Sequence, residues 1–278
     1  MVLPIAAVSP IAACVLYKRT PLRDLAVCGL NLWAYMAAYE MPHDHPGRLE
    51  ERVRADYPIA IDRALGLGLI PTLRLQRAFG RPGEVRWFER VLVWCHWLWF
   101  FTPHCTIAYI WIRDRDRFPA AAARMYGVFD VGAVFYWTAP TAPPWWAAAR
   151  GKLEDGRSLN VRRMMIEYGP QFWGRRWTAL YHFLGGNPLA AMPSLHFATS
   201  LTGAELLAEV GPAPGAVGWG YTALLGLALV YLGEHYVVDL LGGVALAEAV
   251  RRGAPLAAPF AHRLVRALER LQALADTD

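Results

Sequence analysis

Long apolar stretches separated by charged turns dominate the hydrophobic pattern of the chain. The clearest stretch is 91–112, which runs for 22 positions without Asp, Glu, Lys or Arg. A helix of about 20 apolar residues spans the hydrocarbon layer of a bilayer, because it rises about 1.5 Å per residue. The five other stretches are 25–39, 119–139, 191–209, 214–232 and 236–250. This pattern predicts an all-α fold, a polytopic membrane helical bundle with about six transmembrane helices.

Two further segments differ from these stretches. Residues 1–17 are apolar but contain Pro4 and Pro10, which favours an interfacial or additional N-terminal helix. Residues 41–90 mix arginines and acids with apolar positions, most clearly at 61–79, as in an amphipathic helix lying in the membrane interface. We expect a single membrane domain over 1–278, with an N-terminal interfacial segment at 1–23, a core at 24–252 and a C-terminal tail at 253–278.

Composition excludes several classes of protein. Hydrophobic residues make up 55% of the chain and charged residues only 18%, whereas ordinary soluble domains have roughly 25% charged residues. The net charge of +5 is too small and too scattered to indicate a nucleic-acid partner. The expected partners are the bilayer and a phospholipid or other lipid phosphate, and the sequence leaves the oligomeric state open.

The longest apolar stretch also contains two histidines beside cysteines. Cys95–His96 and His104–Cys105 are eight to ten positions apart, which is about 12–15 Å along a helix and too far for one metal ion. Trp99, in the same stretch, is expected to face lipid or the protein core. We predict no metal site here.

Titratable side chains also occur at the beginning of two later apolar stretches. In the segment 233–243, His235 and Asp239 are four positions apart, so they share one helix face and can form a hydrogen bond. A carboxylate bound to one imidazole nitrogen fixes the tautomer and leaves the other nitrogen as a nucleophile or base. The spacing therefore predicts a reactive His–Asp pair.

The second such segment, 187–200, contains Pro193, Ser194 and His196. Proline suits the first turn of a helix, which would place the two polar residues beside free backbone N–H groups that attract phosphate. One span separates this segment from the His–Asp pair, so both lie at the same membrane face and can form one site. The basic connection 140–190 is expected to wall and cap that site.

Three short motifs then give the chain a resemblance to a known family. PSLH at 193–196, HYVVD at 235–239 and APPWW at 142–146 resemble the signature regions of the type 2 phosphatidic acid phosphatase superfamily. The Pro-Pro-Trp sequence and the trailing DLLGG are similar to its inositol phosphorylceramide synthase (aureobasidin-resistance)-like branch. The resemblance covers roughly residues 20–252.

The resemblance implies roles for individual residues. His235 would attack phosphorus and become a phosphohistidine, and Asp239 would orient it and stabilise its charge. His196 would protonate the departing alkoxide and later activate the acceptor hydroxyl. This scheme requires no metal and no cofactor. The expected substrate-binding residues are Ser194, Pro143, Pro144, Arg162, Arg163, Arg175 and Arg176.

The chain departs from the superfamily pattern where cations would hold phosphate. The Lys–Arg–Pro pattern is missing, Ala228 and Leu229 stand where a Ser–Arg pair is expected, and no Lys or Arg lies between Met125 and Ala149. A phosphodiester carries one negative charge where a monoester carries nearly two, so a site with fewer cations favours a diester. Arginines of the basic connection are an alternative source of positive charge.

These observations predict an integral membrane lipid phosphotransferase that moves a phosphoryl head group, of the phosphoinositol type, from one lipid to a lipid alcohol. The alternative enzyme is a lipid phosphate or isoprenyl diphosphate phosphatase, which uses water as acceptor. A membrane transporter is the non-enzyme alternative, disfavoured by two matched motifs and by the lack of inverted repeats.

The expected location is the cell membrane, with several membrane passes and an extracytoplasmic active site. The orientation follows from the resemblance alone. The two connections then placed outside hold 16 Lys and Arg and the inner segments hold 11, whereas the positive-inside rule favours the opposite distribution.

Overall fold

The structure is a computed structural model that describes residues 2–81, 83–153, 160–174, 176–177 and 187–275. Thirteen α-helices make up most of this described part of the chain, so the predicted all-α fold is confirmed. They are α1 (Val2–Leu16), α2 (Pro21–Glu40), α3 (Pro46–Arg52), α4 (Asp56–Leu65), α5 (Pro71–Phe79), α6 (Trp87–Leu98), α7 (Thr102–Arg113), α8 (Phe118–Thr138), α9 (Pro144–Ala149), α10 (Met164–Trp173), α11 (Leu195–Val210), α12 (Pro212–Tyr231) and α13 (Val237–Ala275). Isolated bridges link Thr141 to Arg54 and to Ala190.

The predicted apolar stretches all fall on helices, but the number of membrane spans is not confirmed. Within the described residues, α12 is the one helix of 18 residues or more that is apolar enough to cross a bilayer by length and composition. Helix α1 is apolar but shorter. The remaining helices are shorter than 18 residues or are not apolar enough by the same measure, so length and composition do not identify them as spans.

The longest apolar stretch, 91–112, was predicted as one span and forms two helices. Helix α6 ends at Leu98 and α7 begins at Thr102, with a turn between them. Pro103 lies in the first turn of α7. Its ring lacks an N–H and would clash with the carbonyl four residues earlier, so a continuous helix is unfavourable at this point. The break turns the chain beside the cavity described below.

The segment 61–79 was predicted as an amphipathic interfacial helix and also differs. It contains the end of α4, a turn in which Leu67 and Gly68 have positive φ angles of 54° and 94°, and α5. Asp62 and Gln76 are buried here although both are polar. The two helices therefore support other elements through polar contacts instead of lying freely at an interface.

The C-terminal segment forms one long helix, where a last span and a separate tail were expected. Helix α13 runs for 39 residues through Pro255 and Pro259. The predicted last span, 236–250, and most of the predicted tail are therefore parts of one helix. Its N-terminal turn, from Val237, carries Asp239 into the protein interior, where that residue is fully buried.

Close packing of small residues holds the helices around α11. A Cβ atom added at Gly218 of α12 would lie 2.8 Å from the Cα atom of Ala204, and one at Gly215 would lie 2.7 Å from that of Ala208. Both separations are too short for real side chains, so α12 approaches α11 backbone to backbone. This contact places the end of α12 and the loop after it beside the start of α11.

Candidate active site

A cavity of about 360 Å³ is enclosed between α2, the α6–α7 turn, α8, α11 and the loop before α13. Aromatic side chains form much of its wall, as is common in sites for organic ligands. They are Tyr35, Tyr39, Trp97, Trp99, Phe100, Phe129, Tyr136 and Trp145. The polar residues on the wall are His96, His104, Arg163, Asn187, His196, Glu234 and His235.

His235 and Asp239 form the predicted hydrogen-bonded pair, but they do not share a helix face, because His235 lies in the loop before α13 and Asp239 in the first turn of that helix. The Nδ1 atom of His235 lies 3.3 Å from Oδ2 of Asp239. The same oxygen accepts a hydrogen bond of 2.9 Å from the backbone N–H of Tyr236. His235 is 4% exposed and Asp239 is fully buried. The carboxylate accepts a hydrogen bond from the N–H at Nδ1, which leaves Nε2 of His235 with its lone pair on the cavity side.

The loop that carries His235 depends on a glycine. Gly233 has a φ of +82°, and a Cβ there would meet Val161 and the carbonyl oxygen of Arg162 at 2.8 and 3.0 Å. The carbonyl of Gly233 accepts the backbone N–H of Trp145 at 3.3 Å. Only glycine combines this backbone conformation with this close approach. The turn brings Glu234 and His235 to the cavity.

Asp62 holds the beginning of α13 from a distant part of the chain. Its Oδ2 accepts the backbone N–H of Val237 at 2.9 Å, and its Oδ1 accepts that of Val238 at 3.0 Å. The first N–H groups of a helix have no partner within the helix, and the negative charge of a carboxylate there interacts favourably with the helix dipole. Sequence reasoning missed this residue, whose one signal was an acid among the apolar positions of α4.

His196 meets His235 directly. Its Nδ1 lies 3.2 Å from Nε2 of His235. Since Nε2 holds a lone pair, Nδ1 of His196 carries the hydrogen and donates it. The Trp99 ring lies against His196 with a centroid separation of 4.0 Å, and its Nε1 donates to Oγ1 of Thr199 at 2.9 Å. Trp99 was predicted to face lipid or core; it packs on the imidazole and fixes the ring's position.

Ser194 has a structural place in the site. It is the N-cap of α11, where its Oγ accepts the backbone N–H of Phe197 at 3.3 Å. Its own N–H donates to the backbone carbonyl of Asp239 at 3.0 Å, which ties α11 to α13. Ser194 is fully buried and does not line the cavity. Pro193, expected inside the first turn of α11, lies just before the cap.

The two prolines of the first motif are placed differently. Pro143 lines the cavity, whereas Pro144 is the first residue of α9, buried and away from the cavity wall. Proline is favourable at the first helical position because an N–H there would have no partner within the helix. The motif therefore shapes the wall with one proline and starts a helix with the next.

The four arginines expected to bind substrate differ in their position relative to the cavity. Arg163 lines the cavity. Arg162 does not; it donates to Glu167 at 2.7 and 2.9 Å and thereby holds the connection together. Arg176 is exposed and away from the cavity wall, and Arg175 lies outside the described residues.

Arg163 brings positive charge to the cavity beside an acid. Its guanidinium lies 3.6 Å above the Trp145 ring, and its Nε is 3.5 Å from Oε1 of Glu234. Burial raises the pKa of Glu234 and the neighbouring Arg163 lowers it, with burial the larger effect. When Glu234 is ionised the two charges cancel, so the pair adds no net charge to the cavity.

The two positions where the Ser–Arg pair is missing do not line the cavity. Ala228 and Leu229 of α12 are fully buried in apolar clusters with residues of α6, namely Leu92, Val93 and Cys95. No group of three or more His, Cys, Asp or Glu side chains within the described residues is arranged to hold a metal ion.

The fold and the site define an all-helical protein with a buried His–His–Asp arrangement at an aromatic cavity. The chain belongs to the PAP2 superfamily, whose family model matches residues 59–251. A search of curated proteins and a search of solved structures each found no match. Superfamily membership supports an enzyme with phosphatase or phosphotransferase chemistry that acts on lipid phosphates.

Proposed function

We propose that this protein is an integral membrane lipid phosphotransferase that moves a phosphoryl head group through a phosphohistidine at His235. One observation carries the proposal. Nδ1 of His235 is hydrogen-bonded to the buried Asp239, while Nε2 meets Nδ1 of His196 at the wall of the cavity. A nucleophile oriented by a carboxylate and facing a proton donor is the arrangement that covalent phosphoryl transfer needs.

In the first step, the substrate phosphorus enters between the two imidazoles and separates them. The lone pair of His235 Nε2 forms the N–P bond while the bond from phosphorus to the lipid oxygen breaks. For this step His196 carries a proton on both ring nitrogens; its Nδ1 proton moves to the departing oxygen, so a neutral lipid alcohol leaves and a neutral imidazole remains. Asp239 stabilises the positive charge that develops on the His235 ring.

The second step reverses these roles with a different alcohol. The now neutral Nδ1 of His196 accepts the proton of an acceptor hydroxyl, whose oxygen forms a bond to phosphorus. The N–P bond breaks and its electron pair returns to Nε2 of His235. Both histidines then hold the protons they began with, so the cycle needs no outside acid or base.

The charge of the cavity supports a phosphodiester substrate. Arg163 is opposed by Glu234, and the buried Ala228 and Leu229 stand where the family's Ser–Arg pair is expected. A phosphodiester brings one negative charge, which such a site tolerates better than the nearly two charges of a monoester. The substrate is then a phospholipid and the acceptor a lipid alcohol.

The head group is proposed to be of the phosphoinositol type. The resemblance of the Pro-Pro-Trp sequence and of DLLGG to the inositol phosphorylceramide synthase-like branch supports this assignment, and a sphingolipid-like alcohol fits the same branch. Residues 1–278 would form one multi-pass domain of the cell membrane, with the cavity on the extracytoplasmic side. The apolar helix α12, which ends beside the cavity, supports a lipid substrate reaching it from the bilayer.

The test is an assay of purified protein with head-group-radiolabelled phospholipid, in the presence and absence of a lipid alcohol. We expect the label to appear on the alcohol, and both His235→Ala and His196→Ala to abolish that transfer. His262→Ala, an exposed position on α13, is the matched control and should retain full activity. Transfer that survives in both site variants contradicts the proposal.

One observation favours a phosphatase as the second candidate. Arg163 brings to the cavity a cation of the kind that the first motif lacks. A lipid phosphate or isoprenyl diphosphate would then bind against its guanidinium, with water as acceptor. Release of free phosphate from a radiolabelled lipid phosphate, without any labelled lipid product, supports this candidate.

A further inference from the structure

His96 is a second histidine beside His196 and has no role in the steps above. It lies on α6, is 6% exposed, and lines the same cavity. Its ring packs against the His196 ring with a centroid separation of 4.9 Å and an interplanar angle of 31°. Neither ring nitrogen has a hydrogen-bond partner among the described residues.

A buried imidazole without partners is unfavourable, because its N–H and its lone pair have lost their contacts with water. Such a group in a native structure requires an explanation, and a ligand that completes its hydrogen bonds is one. The His196 ring packs against the His96 ring, and His96 lines the cavity, so a molecule bound in the cavity is the candidate partner for its two buried nitrogens.

His96 lies on the helix that packs against Ala228 and Leu229, the positions of the missing Ser–Arg pair. Val93 of α6 packs in the apolar cluster that contains Ala228, and Cys95 packs in the cluster that contains Leu229. His96 is the next residue on the same helix. It therefore reaches the cavity from the helix that covers the two positions where a phosphate-holding pair is absent.

We propose that His96 binds the phosphoryl group of the substrate by donating an N–H hydrogen bond to a non-bridging phosphoryl oxygen. This assignment rests on the proposed function. The neutral ring offers one N–H donor and adds no charge to the cavity.

Charge on the non-bridging oxygens increases as phosphorus passes between the lipid oxygen and His235. A fixed donor aimed at those oxygens acts most strongly in the transition state, and removing one such donor reduces catalysis by about 100-fold or more. The mutation should therefore lower kcat more than it raises KM. It should also weaken inhibition by orthovanadate, which resembles five-coordinate phosphorus.

The test compares His96→Phe, which keeps an aromatic ring against His196 and removes both nitrogens, with His96→Gln, which keeps an N–H donor. We expect H96F to lower kcat/KM for head-group transfer about 100-fold and to weaken vanadate inhibition at least about 10-fold. H96Q should stay within about 10-fold of wild type in both measurements. His262→Phe on α13 is the control and should behave as wild type.

An H96F variant within threefold of wild type in kcat/KM and in vanadate inhibition overturns the assignment of His96 and leaves the proposed function intact. If H96F does not fold, His96→Met, which fills the volume with a flexible apolar chain, is judged by the same criteria. A wild-type protein that neither transfers a head group nor releases phosphate overturns both proposals.

Discussion

The carboxylate of Asp62 should stabilise the start of α13, the helix that carries Asp239. Asp62 is fully buried on α4 and accepts the backbone N–H groups of Val237 and Val238 at 2.9 and 3.0 Å. Asp62→Ala removes both acceptors and leaves two N–H groups at the start of α13 without partners. A hydrogen bond to a charged group contributes about 1.5–3 kcal/mol, and loss of a helix cap costs about 0.5–2 kcal/mol.

These contributions overlap, so we expect Asp62→Ala to lower the free energy of unfolding by about 2–4 kcal/mol. Asp62→Asn retains one acceptor oxygen and should lose roughly half of that. For a chain of this size the larger loss corresponds to a decrease in Tm of roughly 5–15 °C. Activity should fall as well, because the same helix start carries Asp239.

Thermal unfolding of the detergent-solubilised protein, followed by intrinsic tryptophan fluorescence, measures the effect. Asp116→Ala, at an exposed position in the turn before α8, is the control and should leave Tm unchanged. A Tm of Asp62→Ala within 1 °C of wild type would refute the reasoning, since the start of α13 would then not depend on this carboxylate.

Four further predictions follow from the site. Asp239→Asn should lower kcat about 10- to 150-fold in the transfer assay, since one charge-assisted hydrogen bond is lost; an unchanged kcat contradicts the pairing. Gly243→Val should lower stability by about 1–3 kcal/mol, because a Cβ there lies 2.8 Å from the Ser194 carbonyl oxygen; an unchanged Tm contradicts that contact. Arg163→Ala should raise KM about 10-fold for a phosphodiester, and an unchanged KM argues against substrate contact. Burial raises the pKa of Glu234, so the folded chain holds this proton more tightly than the unfolded one, and stability falls as pH rises from the unfolded towards the folded pKa. Glu234→Gln should thus gain stability relative to wild type across that window, and parallel pH profiles of Tm would contradict the assignment.

Local spacing was sufficient to predict the central pair of the site. His235 and Asp239 are only four positions apart, which keeps them close although His235 lies in the loop before α13 and not on the helix. The apolar stretches likewise indicated where long helices lie, because a hydrophobic run of this length has few alternatives to a helix, but the longest stretch is divided into α6 and α7. The meeting of His196 with His235 needed only the count of intervening helices.

Other features depended on contacts between distant segments. Asp62 precedes its partner Val237 by 175 positions, and no local pattern in α4 indicates which N–H groups it accepts. Trp99 could face lipid, core or site until the break between α6 and α7 was known. Ser194 has the right chemistry for phosphate binding, but the backbone of its own helix already uses its hydroxyl oxygen.

Chemical trapping of the intermediate tests the central claim most directly. Wild-type protein is incubated with head-group-labelled phospholipid without an acceptor alcohol, then digested and examined by mass spectrometry under conditions that preserve N–P bonds. The account predicts an acid-labile head-group phosphate on His235, absent in His235→Ala and discharged when lipid alcohol is added. Head-group transfer by a protein that carries the label on another residue, or on none, would contradict it.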